Sequence, residues 1–107
     1  MQIPVGTIFY KKLRHGQILT LVSTGRGVKV DWHNPDGKCR FESAQVLEIE
    51  WRGRKHLPLE SFHDRGYTYP KEGEVVEPES YNDSEGFVCA PGIHGFLSRD
   101  QALGYWY

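Results

Sequence analysis

Thr7-Ile8-Phe9-Tyr10 and Gln17-Ile18-Leu19-Thr20-Leu21-Val22 are two runs rich in β-branched and aromatic residues, separated by a His15-Gly16 pair. Such side chains lose rotamer freedom in a helix and pack well on a pleated surface, so the stretch predicts a first β-hairpin. Thr24-Gly25-Arg26-Gly27 then turns the chain into Val28-Lys29-Val30-Asp31-Trp32-His33. Strict alternation there predicts a half-buried strand, with Val28, Val30 and Trp32 inward and Lys29, Asp31 and His33 outward. Asn34-Pro35-Asp36-Gly37 combines the fixed φ of proline with the permissive φ of glycine, so Lys38 to Phe41 should pair back antiparallel. Alternation returns between Gln45 and Arg52: Val46 leads into Leu47, Ile49 and Trp51 on one face, with Glu48, Glu50 and Arg52 on the other. Residues 1–52 thus read as a twisted antiparallel meander or a small half-open barrel.

Beyond it, the segment from Gly53 to Gly66 has no clear period and reads as an ordered connection. Tyr67-Thr68-Tyr69 and Glu74-Val75-Val76 are short strands with Pro70 and Pro78 at their ends, suited to sheet edges where a missing N–H does no harm. Residues 79–86 form a polar loop. Phe87-Val88-Cys89 begins another strand, and after Ala90-Pro91-Gly92 the segment Ile93 to Leu97 forms one more, with His94 and Phe96 on one face. Ser98 and Gln101 then make a capping box with Asp100 in the first turn, predicting a helix over 98–106 whose apolar stripe is Ala102, Leu103 and Trp106. The expected class is β-rich α+β: one domain spanning 1–107, with an antiparallel sheet or half-open barrel of about six to eight strands and one short C-terminal helix.

The composition agrees. At 107 residues the chain suits one hydrophobic core, and its 12 glycines and 6 prolines favour many short strands over long helices. There is no apolar run of the roughly 20 residues that a membrane helix needs and no signal-peptide layout at the start, so the expected location is the cytosol. Cys39 and Cys89 lie on strand-like segments without a disulfide framework and are expected to be buried thiols. The net charge is −1, but residues 1–56 hold ten Lys/Arg against five Asp/Glu, and residues 57–107 hold three against nine. The two segments either fold against each other and neutralise, or present a basic face to an anionic ligand or to another copy. A nearly neutral total argues against duplex DNA as the main partner.

Candidate chemistry is sparse. Arg26 lies between two glycines, and Arg52, Arg54 and Lys55 flank Gly53; glycine lets a backbone approach a phosphate while arginine offers a planar donor fork. Trp32 and Trp51 are near in sequence and could stack on a base. His94 could activate a thiol at Cys89, but no orienting residue accompanies them, and packing accounts for both. No histidine or cysteine spacing pre-arranges metal ligands, so neither a metal nor a cofactor is expected. Tyr105-Trp106-Tyr107 is too apolar to leave in water and suits helix packing or a homo-oligomer contact.

The pattern Tyr67-x-Tyr69-x-x-x-Gly73-x-Val75-Val76-x-Pro78, followed by Cys89-x-x-Gly92-Ile93-His94-x-Phe96-x-Ser98-Arg99-x-x-Ala102-x-x-Tyr105, resembles a module of phage and large-DNA-virus proteins that is itself of uncharacterised function. The resemblance covers residues 67–107 and implies a viral origin and a shared C-terminal strand and helix. The part from Gly92 to Tyr105 is also weakly similar to the strand and helix of ADP-ribosyltransferase-like folds. That similarity implies a nicotinamide-nucleotide cleft with His94 donating to a ribose, and makes a reduced transferase acting on NAD the alternative. A complete histidine, tyrosine and glutamate set cannot be assigned, so a non-enzymatic accessory protein is the leading expectation. It would bind a nucleotide-like host small molecule or a host protein, with a counter to host defence as the extension of that role; a structural or dimerisation module is the third reading.

Overall fold

Short runs of β-formers between turn residues fold here as short strands. The computed structural model describes residues 2–13, 16–29, 38–51, 53–55, 62–64, 67–69, 72–77 and 92–104. Among these the strands are β1 (Gln2–Ile3), β2 (Ile8–Lys12), β3 (Ile18–Ser23), β4 (Gly27–Lys29), β5 (Lys38–Phe41) and β6 (Ala44–Trp51). They continue with β7 (Arg54–Lys55), β8 (Phe62–Asp64), β9 (Tyr67–Tyr69), β10 (Val75–Val76) and β11 (Ile93–Phe96), and helix α1 (Arg99–Leu103) follows. Every pairing is antiparallel. The main sheet runs β1-β4-β5-β11-β2-β3-β6-β10 with β7 also on β6, while β8 and β9 form a separate ribbon. The β-rich α+β expectation holds. No helix among the described residues is long and apolar enough to cross a membrane.

Two of the expected strand pairings form, while His15 lies outside the described residues. β2 pairs with β3 from Ile8↔Val22 to Lys12↔Ile18, and β4 pairs back on β5. β3 continues into β4 and β5 into β6 through hydrogen-bonded corners, Thr24 N–H donating to the Ser43 carbonyl (3.0 Å) and Glu42 N–H to the Arg26 carbonyl (2.8 Å). Residues 18–29 and 38–50 are therefore one long, bent ribbon. One arm of it lies beside β11 and the other beside β2, so the sheet curls around its core.

The first half is not a self-contained meander, because β11 lies between β5 and β2, its residues Ile93 to Phe96 pairing with Phe41 to Lys38 and its Phe96 with Tyr10. Turn chemistry sets hairpins locally, whereas this insertion is set by core packing between distant segments. Phe9 and Phe41 stack at 3.8 Å with an interplanar angle of 13°, although β11 separates their strands. Gly95 makes this possible: a Cβ there would lie 2.6 Å from Phe9 Cδ2 and 2.9 Å from the Tyr10 carbonyl oxygen. Gly27, directly opposite Phe41, leaves room in the same way, since a Cβ there would lie 2.6 Å from Phe41 Cδ1. Ile3, Leu13, Leu19, Leu21, Cys39, Ala44, Val46, Ile49, Val76 and Ile93 complete the core cluster.

Four local expectations are corrected. Lys29 is not on a solvent face: it is buried on the core side opposite Cys39, while Val28 takes the outer side opposite Arg40. The cause is Gly27, whose missing side chain admits Phe41 and fixes that row as the core row. Leu47 is exposed, because the ladder passes from Thr20↔Glu48 to Leu21↔Val46 and leaves Leu47 as the extra residue of a β-bulge. The aperiodic segment 53–66 contains β7 and β8, too short to show a period. In α1 Ala102 is buried but Leu103 is exposed, since adjacent helical residues point about 100° apart and Ala102 takes the sheet side.

Candidate functional site

Ser98 caps α1 as expected, its hydroxyl accepting from Gln101 N–H at 3.1 Å. The helix is fixed to the outer side of the sheet at one end: Lys12 Nζ donates to the Leu103 carbonyl (3.2 Å), and Arg99 forms an ion pair with Glu50. Lys12, Ile18 and Glu50 are directly opposite one another on β2, β3 and β6, so α1 covers that row. At about 1.5 Å per residue, a helix of 5 residues is roughly 7.5 Å long. It cannot also cover the row at the other end of the same strands, four residues and about 13 Å away.

That distant row is Ile8, Val22, Gln45 and Val75, each directly opposite the next across β2, β3, β6 and β10. Residues directly opposite in antiparallel strands share a face. Ile18, under the helix, is 4% exposed, whereas Ile8 on the same face of the neighbouring strand is 41% exposed and Val75 is 50% exposed. Leu47, thrown outward by the bulge, is 40% exposed. Gln45 is held in the row by its Nε2, which donates to the Gly73 carbonyl at 2.7 Å. The backbone on this side of β6 is occupied as well: Val46 N–H donates to the Glu74 carbonyl (2.9 Å), and Ile49 N–H to the Glu72 carboxylate (2.9 Å). A glutamate side chain thus stands in for a strand between β10 and β7. The result is a partly apolar face on which Ile8, Val75 and Leu47 are exposed.

Among the described residues, those singled out in the sequence are not gathered into one place. Arg26 is exposed and ion-paired with Glu42 at 2.8 Å, at the Ala44 end of β6. Arg54 pairs with Trp51 at the opposite end of the 8-residue strand, roughly 23 Å away at about 3.3 Å per step. The structure does bring half-buried Trp51 beside Arg54, with Lys55 next to it opposite Glu50. Arg52 and Trp32 lie outside the described residues, as do Cys89, the Tyr105–Tyr107 run and the proposed turn at 34–37. His94 is half-buried in the middle of the sheet, opposite Arg40, and its carbonyl accepts from Lys11 Nζ at 3.2 Å.

Sequence reading missed three buried cations around β11. Arg40 is fully buried on the outer side, and Lys11 and Lys29 are buried on the core side. Their alternation with apolar neighbours is indistinguishable from that of solvent-facing residues, so no local signal marks them. Between the lysines sits the thiol of Cys39, which burial pushes up to about 11 while the Lys29 charge pulls the other way. A thiol held protonated in this way is a packing group, not a nucleophile. Among the described residues no group of three or more histidine, cysteine or acidic side chains could hold a metal ion.

Neither a curated protein nor a solved structure is significantly similar to this chain. A family model does match it from residue 2 to residue 102, which takes in the curled sheet, the open row and all but the last residue of the helix. The chain therefore belongs to the family of unknown function DUF5758.

Proposed function

We propose that the chain is a non-enzymatic accessory protein, of viral origin and acting in the host cytosol, that binds a host protein through the open end of its outer sheet face. One observation carries this reading: the row from Ile8 to Val75, exposed at both ends and with exposed Leu47 beside it, on strands whose other end is covered by α1. Single exposed apolar residues are ordinary, but an aligned set on a rigid face marks an interaction surface. A host protein is favoured over a nucleotide because Arg26 is satisfied by Glu42 and lies far from Arg54. Catalysis finds no support in Cys39, and His94 is built into the ladder between β5 and β2.

The test is native mass spectrometry of the chain purified from expressing host cells, beside an Ile8→Asp, Val75→Asp variant that keeps its urea midpoint. A stoichiometric protein partner held by the parent and lost by the variant is the expected result. A retained nucleotide with no protein would replace the reading with ligand sequestration. Release of nicotinamide from NAD over many turnovers, abolished by His94→Ala, would replace it with catalysis.

A further inference from the structure

The chemistry around the open row restricts what can sit on it. The two residues of β10, Val75 and Val76, stand between Glu74 and Glu77, both exposed. Glu48 follows Leu47 on β6, and Glu72 approaches from the same side to accept from Ile49 N–H. Arg26, near the Ala44 end of β6, is balanced by Glu42. The row itself spans three strand spacings, roughly 14 Å from Ile8 to Val75. Resting on the reading of this face as a docking surface, we infer that its occupant is a protein surface with an apolar centre ringed by Lys or Arg side chains.

The apolar centre removes Ile8, Val22, Leu47 and Val75 from water, which supplies the affinity. The ring of cations meets Glu74 and Glu77, which steers the encounter and fixes its register more than it adds strength. The same carboxylates repel phosphate-bearing surfaces, so nucleic acid and anionic membranes are excluded from this face.

The experiment uses the full isotope-labelled chain and two probes: a short peptide alternating lysine with valine, and its counterpart alternating glutamate with valine. The lysine peptide is expected to shift the amide signals of Ile8, Val22, Leu47 and Val75, with affinity falling as salt rises. A Glu74→Lys, Glu77→Lys variant is expected to bind it about tenfold more weakly and to accept the glutamate peptide instead. Equal binding of both peptides by the parent chain, or shifts confined to another face, would overturn the inference. So would concentration-dependent self-association in sedimentation that is abolished by Val75→Asp, since it would make a second copy the occupant. The two levels fail separately. A cellular partner lost with Ile8→Asp, Val75→Asp but indifferent to Glu74→Lys, Glu77→Lys ends the charge inference and leaves the docking face standing, whereas a partner indifferent to both pairs ends the face itself.

Discussion

Replacing Gly95 by alanine tests how the sheet curls. A Cβ at this position would lie 2.6 Å from Phe9 Cδ2, 3.1 Å from Phe9 Cε2 and 2.9 Å from the Tyr10 carbonyl oxygen. The carbonyl belongs to the β2 backbone and cannot swing away, so the ring or the strand must move by roughly 1 Å to restore ordinary contact at about 3.5 Å. That movement disturbs the 3.8 Å stack with Phe41. Overpacking of this kind costs about 1–3 kcal/mol, and loss of an aromatic pair about 0.5–1.5 kcal/mol more. The lower entropy of the unfolded alanine chain offsets about 0.4–1 kcal/mol. The net expectation is a loss of about 2 kcal/mol, read as a lower urea midpoint with an unchanged slope, or as a melting temperature lower by about 8 °C. In a Phe9→Leu background, where the flat ring is gone, Gly95→Ala should cost at least about 1 kcal/mol less. An unchanged midpoint, or the same loss in both backgrounds, would refute the claim that Gly95 is needed for Phe9 and Phe41 to meet.

Three further expectations follow from single contacts. Ser98→Ala removes the acceptor of Gln101 N–H and should lower stability by about 1 kcal/mol in urea titration. Burial raises the Cys39 thiol from 9.0 to about 11, so the unfolded chain ionises first on going alkaline. Its contribution is fully present below pH 9 and lost as the pH approaches 11, and stability should fall over that window more steeply in the parent chain than in Cys39→Ala, by at most about 1.4 kcal/mol per pH unit. Glu72→Ala takes the carboxylate from Ile49 N–H; the loss should be about 1–3 kcal/mol, with faster amide hydrogen exchange at Ile49 and near-parent exchange in Glu72→Gln.

The parts of the fold legible in the sequence are those set by neighbours in the chain. The pairing of β2 with β3, the edge strand at Val75–Val76 and the Ser98 cap each depend on a few consecutive residues whose backbone preferences are known. The place of β11 depends instead on Gly95, Phe9 and Phe41 meeting across three strands. Glycine in a strand announces a close approach but not what approaches. Lys29 shows the same limit from another side: alternation assigns residues to two faces without saying which is the core, and here a glycine two residues earlier decides it by admitting Phe41.

The candidate docking face was hidden for a related reason. Between Val46 and Ile49 a period of two keeps Leu47 with Ile49 and sends both to the core. The bulge breaks that count, leaving Val46 and Ile49 buried and Leu47 exposed. The bulge lies opposite Thr20 and Leu21 on β3, so it becomes visible only once the two strands are paired. The shift turns an apolar side chain outward beside a row that α1 is too short to reach. Two features that look like imperfections of a small β domain, an extra residue in a strand and a helix of 5 residues, thus combine into one exposed surface. Each contributes its own part: the bulge turns Leu47 outward, and the short helix leaves the row from Ile8 to Val75 uncovered.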